Sequence, residues 1–230
     1  MESPVYARHA FAVEMQQLEH VVLEMGSHAE SMVREAVVAL HDLKVELAME
    51  VILRDDEVDR RDLEVESRCL KLLALQQPTG SDLRAIGTMM KIITDIERVG
   101  DLAVDLAKIA MKVEKEMGST RIIDIPSIGY PAAAMFHEAL DAFVRRDAER
   151  VQGILSQDDA VDERYRELRA EIFENMRINP DGVVTDGWLF LAIHHIERIA
   201  DHAVNIAERV NFMVTGEVRK YGGQQNGASS

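Results

Sequence analysis

The stretch DIERVGDLAVDLA, residues Asp95–Ala107, recurs one hundred residues later as HIERIADHAVNIA, residues His195–Ala207. The Ile-Glu-Arg triplet, the central Asp, the Ala-Val pair and the final Ala are the same in both stretches. Polar side chains follow one another at intervals of four residues, which places them along one flank of a helix. Such a repetition predicts that one helical unit occurs twice in the chain.

The two halves of the chain also correspond outside these stretches. RDDEVDR at 54–60 matches QDDAVDE at 157–163, and REAVVAL at 34–40 matches HEALDAF at 137–143. Apolar residues recur at three- and four-residue intervals, and no convincing strand pattern with a period of two is found. The sequence therefore predicts an all-α fold of two tandem three-helix bundles, whose six long antiparallel helices are related by internal pseudo-symmetry.

Turn-forming residues set the bounds of the six predicted helices. Ser81 or Asp82 is a candidate cap for the third helix, and Asp147 for the fifth. The helices are expected at about residues 6–41, 43–77, 81–117, 131–145, 148–177 and 186–215. We expect a first repeat at residues 1–119, a second repeat at 120–218 and a disordered Gly/Ser/Gln-rich tail at 219–230.

The composition excludes several classes of function. The chain of 230 residues has a formal net charge of −15, which disfavours binding to nucleic acid and adsorption to anionic lipid. Cys69 is the single cysteine, so we expect no internal disulfide but a buried, inert thiol in a reducing compartment. Neither a signal peptide nor a membrane-spanning apolar run is recognised. These features predict a cytoplasmic protein.

Two groups of polar side chains are expected to form patches where the second and third helices of each repeat meet. Both helices rise about 1.5 Å per residue from a shared turn, so Asp55 and Asp59 should lie level with Glu97–Asp105. The first acidic patch comprises Asp55, Asp59, Glu97, Asp101 and Asp105. The second acidic patch comprises Asp158, Asp162, Glu197, Asp201 and Asn205.

Clustered carboxylates of this kind favour hard cations such as Mg²⁺, Ca²⁺, Mn²⁺ or ferric iron. Because like charges at a spacing of four repel one another on a helix, a counter-ion would relieve both patches. A solvated acidic face is the alternative. His194, His195 and His202 flank the second patch, and a hydrogen-bonded or solvent-facing role is favoured for them over ligation. Since Asn205 carries no charge, the first patch is expected to bind a cation more tightly.

At these residues the chain resembles the PhoU family of bacterial phosphate-uptake regulators. The E(D)xxxD motif of that family is matched by Asp55–Asp59, Glu97–Asp101, Asp158–Asp162 and Glu197–Asp201, in the family's order. The resemblance spans about residues 15–216. It implies a cytoplasmic negative regulator of phosphate uptake and phosphate-starvation signalling that binds metal at these motifs, iron in some members as a multinuclear cluster.

The resemblance also implies partners. They are the ATPase of a phosphate ABC transporter and a sensor histidine kinase, which the protein, as a homodimer, would contact at the membrane without being inserted in it. Three alternatives remain: a carboxylate-metal enzyme, a metal-free helical adaptor, and an accessory protein of a low-affinity phosphate transporter. The sequence contains no nucleophile with a base, no general acid/base pair in a cleft and no phosphate-binding glycine loop, so we expect no catalysis.

Overall fold

The computed structural model describes residues 4–116 and 123–218. These two ranges contain no strand and fold into seven α-helices. They are α1 (Pro4–Asp42), α2 (Val45–Leu53), α3 (Asp55–Gln76), α4 (Ser81–Glu116), α5 (Pro126–Arg145), α6 (Arg150–Ile178) and α7 (Val183–Thr215), with a short 3₁₀ turn at Pro180–Gly182 before α7. None of these helices combines the length and the apolar character needed to cross a membrane.

Helices α1 to α4 build the first repeat, and α5 to α7 build the second. Within the repeats, α3 packs on α1 and α4, and α6 packs on α5 and α7. Between the repeats, α4 packs along α7 and α1 packs along α5, so that one hydrophobic core runs through both. The prediction of two pseudo-symmetric three-helix bundles is confirmed, and the two bundles are joined into one body.

The contact between α1 and α5 shows the pseudo-symmetry at the level of single side chains. A Cβ placed on Gly26 would lie 2.4 Å from Leu140 Cδ1, and one placed on Gly129 would lie 2.5 Å from Val37 Cγ2. Gly26 and Gly129 are equivalent residues of the two repeats, and so are Val37 and Leu140. Two reciprocal glycine contacts therefore let α1 and α5 approach closely on both sides of a local two-fold axis.

Helices α4 and α7 run antiparallel along their whole length. Near one end the Arg84 guanidinium donates to the Met213 carbonyl oxygen over 3.3 Å, and near the other the Lys112 ammonium lies 3.8 Å from the Trp188 ring centre. Both helices carry an acidic motif near their middle. Their packing therefore holds the two acidic patches in a fixed relation.

The second predicted helix is in fact two helices, α2 and α3, separated at Arg54. Arg54 has φ −90° and ψ −7°, and its N–H donates to the Val51 carbonyl in a tight turn. A His28 ring nitrogen hydrogen-bonds the Arg54 carbonyl oxygen at 3.2 Å, and the Arg54 guanidinium pairs with Glu35. The expected continuous helix was wrong here because the break depends on tertiary contacts and not on a glycine or proline.

Two further helices begin earlier than predicted. The fourth predicted helix was expected from Pro131 but starts at Pro126, because proline is tolerated at the first helical position and the buried Ile128 and Gly129 favour packing on α1. The last was expected from Asp186 but starts at Val183. Asp147 was proposed as the cap of the fifth predicted helix, but Glu149 is at the N-cap of α6. Asp147 lies two residues earlier, where its Oδ1 accepts the Glu149 and Arg150 N–H groups at 3.0 and 3.4 Å. The predicted tail at 219–230 lies outside the described residues.

Candidate metal centres

The first acidic patch forms where α3 meets α4. Asp55 Oδ1 lies 3.6 Å from the position that a Cβ on Gly100 would occupy, so this carboxylate lies against the α4 backbone. Burial raises the pKa of Asp55, and the nearby Asp59 and Asp101 raise it further. Burial likewise raises the pKa of Glu97, as do Asp101 and Asp59. The structure thus brings together carboxylates from both helices at the level that the sequence predicted.

Asp62 is a neighbour of this patch that sequence reasoning missed. Its charge contributes to the raised pKa of Glu97. The pKa of Asp62 itself is raised by burial and by the charges of Glu66 and Asp59. The signal was present in the sequence, because Asp62 follows Asp59 by three residues and so lies on nearly the same helix flank.

Basic side chains compensate part of the charge of the first patch. The Arg98 guanidinium lies 2.8 Å from an Asp101 oxygen and 3.3 Å from a Glu97 oxygen. The Lys108 ammonium lies 3.5 Å from Asp105, and it also lowers the pKa of Asp55. These contacts are all partly exposed, so each stabilises the fold only weakly.

The second acidic patch forms at the equivalent junction of α6 and α7. Burial raises the pKa of Glu197 to about 7, and the charges of Asp201, Asp162 and Asp158 add to the effect. Burial and the charges of Asp162 and Asp201 raise the pKa of Asp158 to about 6. The pKa of Asp201 is also raised, by burial and by Asp162. Four carboxylates therefore repel one another in this patch.

The last residue of each patch is turned towards the other repeat. Asn205 donates from its Nδ2 to Asp95 Oδ1 on α4 over 3.3 Å. Asp105 is close enough to His195 on α7 to raise the pKa of that imidazole, although burial lowers it overall. Asp95 and His195 are equivalent residues, as are Asp105 and Asn205. These two side chains therefore contribute to the contact between α4 and α7.

The three histidines beside the second patch occupy different environments. His202 Nδ1 lies 2.9 Å from Asp95 Oδ1, and the side chains of this pair are only 16% and 17% exposed. His194 is exposed and lies 3.3 Å from Glu197. His195 is buried, and its Nδ1 is without a hydrogen-bond partner among the described residues. Two of the three are thus hydrogen-bonded or exposed, as the sequence favoured.

The donor chemistry of both patches fits a hard cation. Carboxylate oxygens are the preferred ligands of such ions, and the raised pKa values show repulsion that a bound cation would relieve. However, within residues 4–116 and 123–218 no three Asp, Glu, His or Cys side chains are arranged to bind one ion directly. The carboxylate side chains would therefore have to reorient around an ion. The assignment of metal ligands stays a prediction.

The single cysteine does not belong to either patch. Cys69 is fully buried on the inner face of α3, and burial raises the pKa of its thiol to about 11. A thiol with a raised pKa is a poor nucleophile and a poor metal ligand at neutral pH. The expected inert role is consistent with this environment.

The fold and the motifs together define a class of protein. It is an all-α protein of two pseudo-symmetric repeats, each with paired acidic motifs on its last two long helices, α3 and α4 in the first repeat and α6 and α7 in the second. The family model described as PhoU domain matches residues 22–110 and 125–210, which is one match in each repeat. Since these matches cover more than half of the chain, the chain belongs to the PhoU family.

Individual relatives agree with this membership. A phosphate-specific transport system accessory protein PhoU homolog of Pseudomonas aeruginosa is 35% identical over 92% of this chain and 88% of its own length. The crystal structure of PhoU from the same organism matches 90% of this chain and 100% of that one with a TM-score of 0.86. The crystal structure of the phosphate transport system regulatory protein PhoU from Streptococcus pneumoniae is 28% identical in sequence. The match covers 92% of this chain and 100% of that one, with a TM-score of 0.83.

Proposed function

We propose that the protein is an accessory protein of a phosphate-specific transport system that restrains phosphate uptake and phosphate-starvation signalling from the cytoplasm. It acts by protein contact, as a homodimer between the ATPase of a phosphate ABC transporter and a sensor histidine kinase, and not by catalysis. The observation that carries the proposal is the family match through both repeats, including both Glu-Arg-x-x-Asp segments.

The electrostatics of the patches support a part for metal ions in this function. Iron, Mn²⁺, Mg²⁺ or Ca²⁺ would be held by Asp55, Asp59, Glu97 and Asp101 in the first repeat and by Asp158, Asp162, Glu197 and Asp201 in the second. Burial, and after it the charges of neighbouring carboxylates, raise the pKa values of Asp55 and Glu97 in the first patch and of Asp158 and Glu197 in the second, so the folded protein holds partly buried carboxylates close together. A bound cation would stabilise this arrangement.

A deletion strain tests the regulatory part of the proposal. Without the protein, phosphate-responsive genes should be transcribed in phosphate-rich medium at the level otherwise seen in starvation. The measurement is transcript abundance in the deletion strain, the parent strain and a strain complemented with the wild-type gene. Normal repression in the deletion strain would contradict the proposed regulation.

Calorimetric titration of the purified protein tests the metal part. Fe³⁺, Mn²⁺ and Mg²⁺ are titrated separately into protein that has been freed of metal with a chelator. Binding of at least one ion, lost when Asp101 and Asp201 are both replaced by alanine, would support the sites. If none of the ions binds, the patches are solvated acidic faces. The same preparation, assayed with a general phosphatase substrate, tests the enzymatic alternative.

A further inference from the structure

The outer face of α3 carries a row of side chains that no other helix covers. Leu63, Ser67, Leu70 and Ala74 follow one another at intervals of four, three and four residues. This is the spacing by which one helix packs on another in a coiled coil. Leu63 and Leu70 are 64% and 51% exposed. They line a shallow groove of about 500 Å³ on this helix.

The inner face of α3 explains why the row stays outside. Val58, Val65, Cys69 and Leu72 are buried and point about 180° away from the row, at 100° per residue. Because α3 packs on α1 and α4 through this inner face, the two exposed leucines add nothing to the core. Their apolar surface is therefore available to another molecule.

The charges beside the row indicate what kind of molecule fits it. Asp62 and Glu66 lie along one edge, next to Asp59 of the first acidic patch, and neither of the two forms an ion pair within the part of the chain that the structure describes. Asp62 and Glu66 are four residues apart on one flank of the helix, so their charges repel each other. Lys71 lines the other end of the groove. A partner with basic groups over Asp62 and Glu66 would relieve this repulsion.

We infer that the outer face of α3 is a docking surface for an amphipathic helix of another protein, with apolar side chains at heptad spacing and basic residues along one edge. A second molecule of this protein fits less well through the same face, because the acidic edges would then meet each other. The inference rests on the proposed function, since it names the surface by which an adaptor contacts a partner.

The second repeat provides an internal control for this inference. The residues of α6 equivalent to Leu63, Ser67 and Leu70 are Arg166, Ala170 and Phe173, and an arginine, Arg177, also stands where Ala74 stands. Helix α6 therefore interrupts the apolar row with two guanidinium groups. Variants at equivalent positions of the two helices separate binding at α3 from general attraction to an acidic protein.

The test uses a helical peptide about three heptads long, with leucine at the a and d positions and lysine elsewhere on its exposed edges. Its affinity for the full-length protein is measured by calorimetry. The double variant Leu63→Ser/Leu70→Ser should bind the peptide about tenfold more weakly, whereas Arg166→Ser/Phe173→Ser should bind it as the wild type does. Because the replaced leucines are exposed, melting curves should confirm that both variants are folded.

Equal affinity of the wild type and Leu63→Ser/Leu70→Ser would overturn the inference and leave only non-specific charge attraction. Sedimentation analysis tests whether a second molecule of this protein occupies the face instead. If the wild type self-associates and Leu63→Ser/Leu70→Ser does not, the face binds a second copy and the inference is wrong. In cells, failure of the deletion strain to release repression contradicts the proposed function. Release by the deletion but normal repression by Leu63→Ser/Leu70→Ser contradicts only the docking surface.

Discussion

Burial and neighbouring carboxylates raise carboxyl pKa values further in the second acidic patch than in the first, although both patches are built from equivalent positions. The pKa of Glu197 reaches about 7 and that of Asp158 about 6. The pKa values of Glu97 and Asp55 at the equivalent positions are raised more moderately. The same motif therefore produces two different electrostatic environments.

Burial is the largest cause of the raised pKa values in both patches, and charged residues near the motifs also differ. Lys108 lies beside Asp105 and lowers the pKa of Asp55 in the first patch, whereas Glu208 stands at the equivalent position of the second repeat. Arg98 contacts two carboxylates of the first patch directly. Arg98 and Lys108 thus provide the first patch with part of the positive charge that a bound metal ion would supply.

The electrostatics of the two patches lead us to expect the opposite order of metal affinity from the one that the sequence suggested. The first patch was expected to bind a cation more tightly because Asn205 carries no charge. In the structure the Asn205 side chain donates to Asp95 of the first repeat. Since burial and neighbouring carboxylates raise the pKa of Asp158 to about 6 and that of Glu197 to about 7, a cation that compensates these charges should stabilise the second patch more.

The largest expected effect is therefore the loss of metal stabilisation at the second patch. At a hundredfold excess over its dissociation constant, a bound ion should stabilise the fold by about 2.7 kcal/mol. Asp201→Ala should remove most of the metal-induced rise in melting temperature, and Asp101→Ala should remove less. Differential scanning calorimetry with and without Mn²⁺ measures both changes.

Glu171→Ala provides the control for this prediction, because Glu171 is an exposed residue of α6 outside both patches. It should keep the full metal-induced rise. Equal losses in Asp101→Ala and Asp201→Ala would show that the two patches do not differ in the proposed way. A larger loss in Asp101→Ala would restore the order suggested by the sequence.

Substitutions at Gly26 and Gly129, the equivalent glycines of the contact between α1 and α5, compare the packing of the two repeats. Gly129→Ala brings a Cβ to 2.5 Å from Val37 Cγ2, and the β-branched valine can move little. Gly26→Ala meets the end of the more flexible Leu140. Overpacking of this kind costs about 1–3 kcal/mol, so we expect about 2 kcal/mol of destabilisation for Gly129→Ala and about 1 kcal/mol for Gly26→Ala in denaturant titrations.

Gly87→Ala is the matched control, since a Cβ on this α4 glycine meets no atom within 4 Å. Replacing a glycine by alanine in an open helical position stabilises a protein by about 1 kcal/mol. Gly87→Ala should therefore raise the free energy of unfolding, while the other two substitutions lower it. Stabilisation by Gly129→Ala would show that α1 and α5 do not approach as closely as described.

The sequence predicted the helices and the patches well where a regular pattern carries the information. The apolar periodicity of Met89, Ile93 and Ile96 continues through a buried face of α4, and the internal repeat indicated which helices correspond. When a short turn joins two antiparallel helices, the helical rise alone determines which of their residues lie at the same height. This is why the proximity of Asp55 to Asp101, and of Asp59 to Glu97, could be predicted.

Features that depend on contacts distant in sequence could not be predicted. The break at Arg54 is associated with His28 and Glu35 on α1. In the second repeat Gln157 donates to Glu138 over 2.8 Å, and α6 runs on without a break. The orientation of Asn205 towards Asp95 likewise depends on the packing of α4 on α7. Such packing leaves no periodic signal in the sequence.

The pH dependence of stability offers a third comparison of the patches. A carboxyl whose pKa is raised by folding binds more protons in the folded state, so its contribution to stability is present at low pH and is lost as the pH rises. For Glu197 this loss should occur between its ordinary pKa of 4.5 and about 7. The melting temperature of the metal-free protein should therefore fall over this interval.

Glu197→Gln should remove much of this fall and raise stability at pH 7.5 by about 1 kcal/mol, or about 2–4 °C in melting temperature. Glu97→Gln should give a smaller gain, because the pKa of Glu97 is raised more moderately. Melting curves between pH 4.5 and 8 in the presence of a chelator measure both variants. Identical pH profiles for the wild type and Glu197→Gln would show that ionisation of Glu197 does not cause the fall in melting temperature.

The smallest expected effect comes from making the first patch resemble the second. Lys108→Glu removes a cation that lowers the pKa of Asp55 and introduces the residue type found at the equivalent position, Glu208. The metal-free protein should lose about 0.5 kcal/mol at neutral pH, as is typical of partly exposed charges, and the loss should shrink at high salt. Lys91→Glu, at an exposed residue of the same helix, should cost less.

The two substitutions change the net charge of the protein equally. If the effect of Lys108 is local, only Lys108→Glu should enlarge the rise in melting temperature that a metal ion causes. An equal increase in Lys91→Glu would mean that total charge, and not the position of Lys108 beside Asp55 and Asp105, sets the difference between the patches.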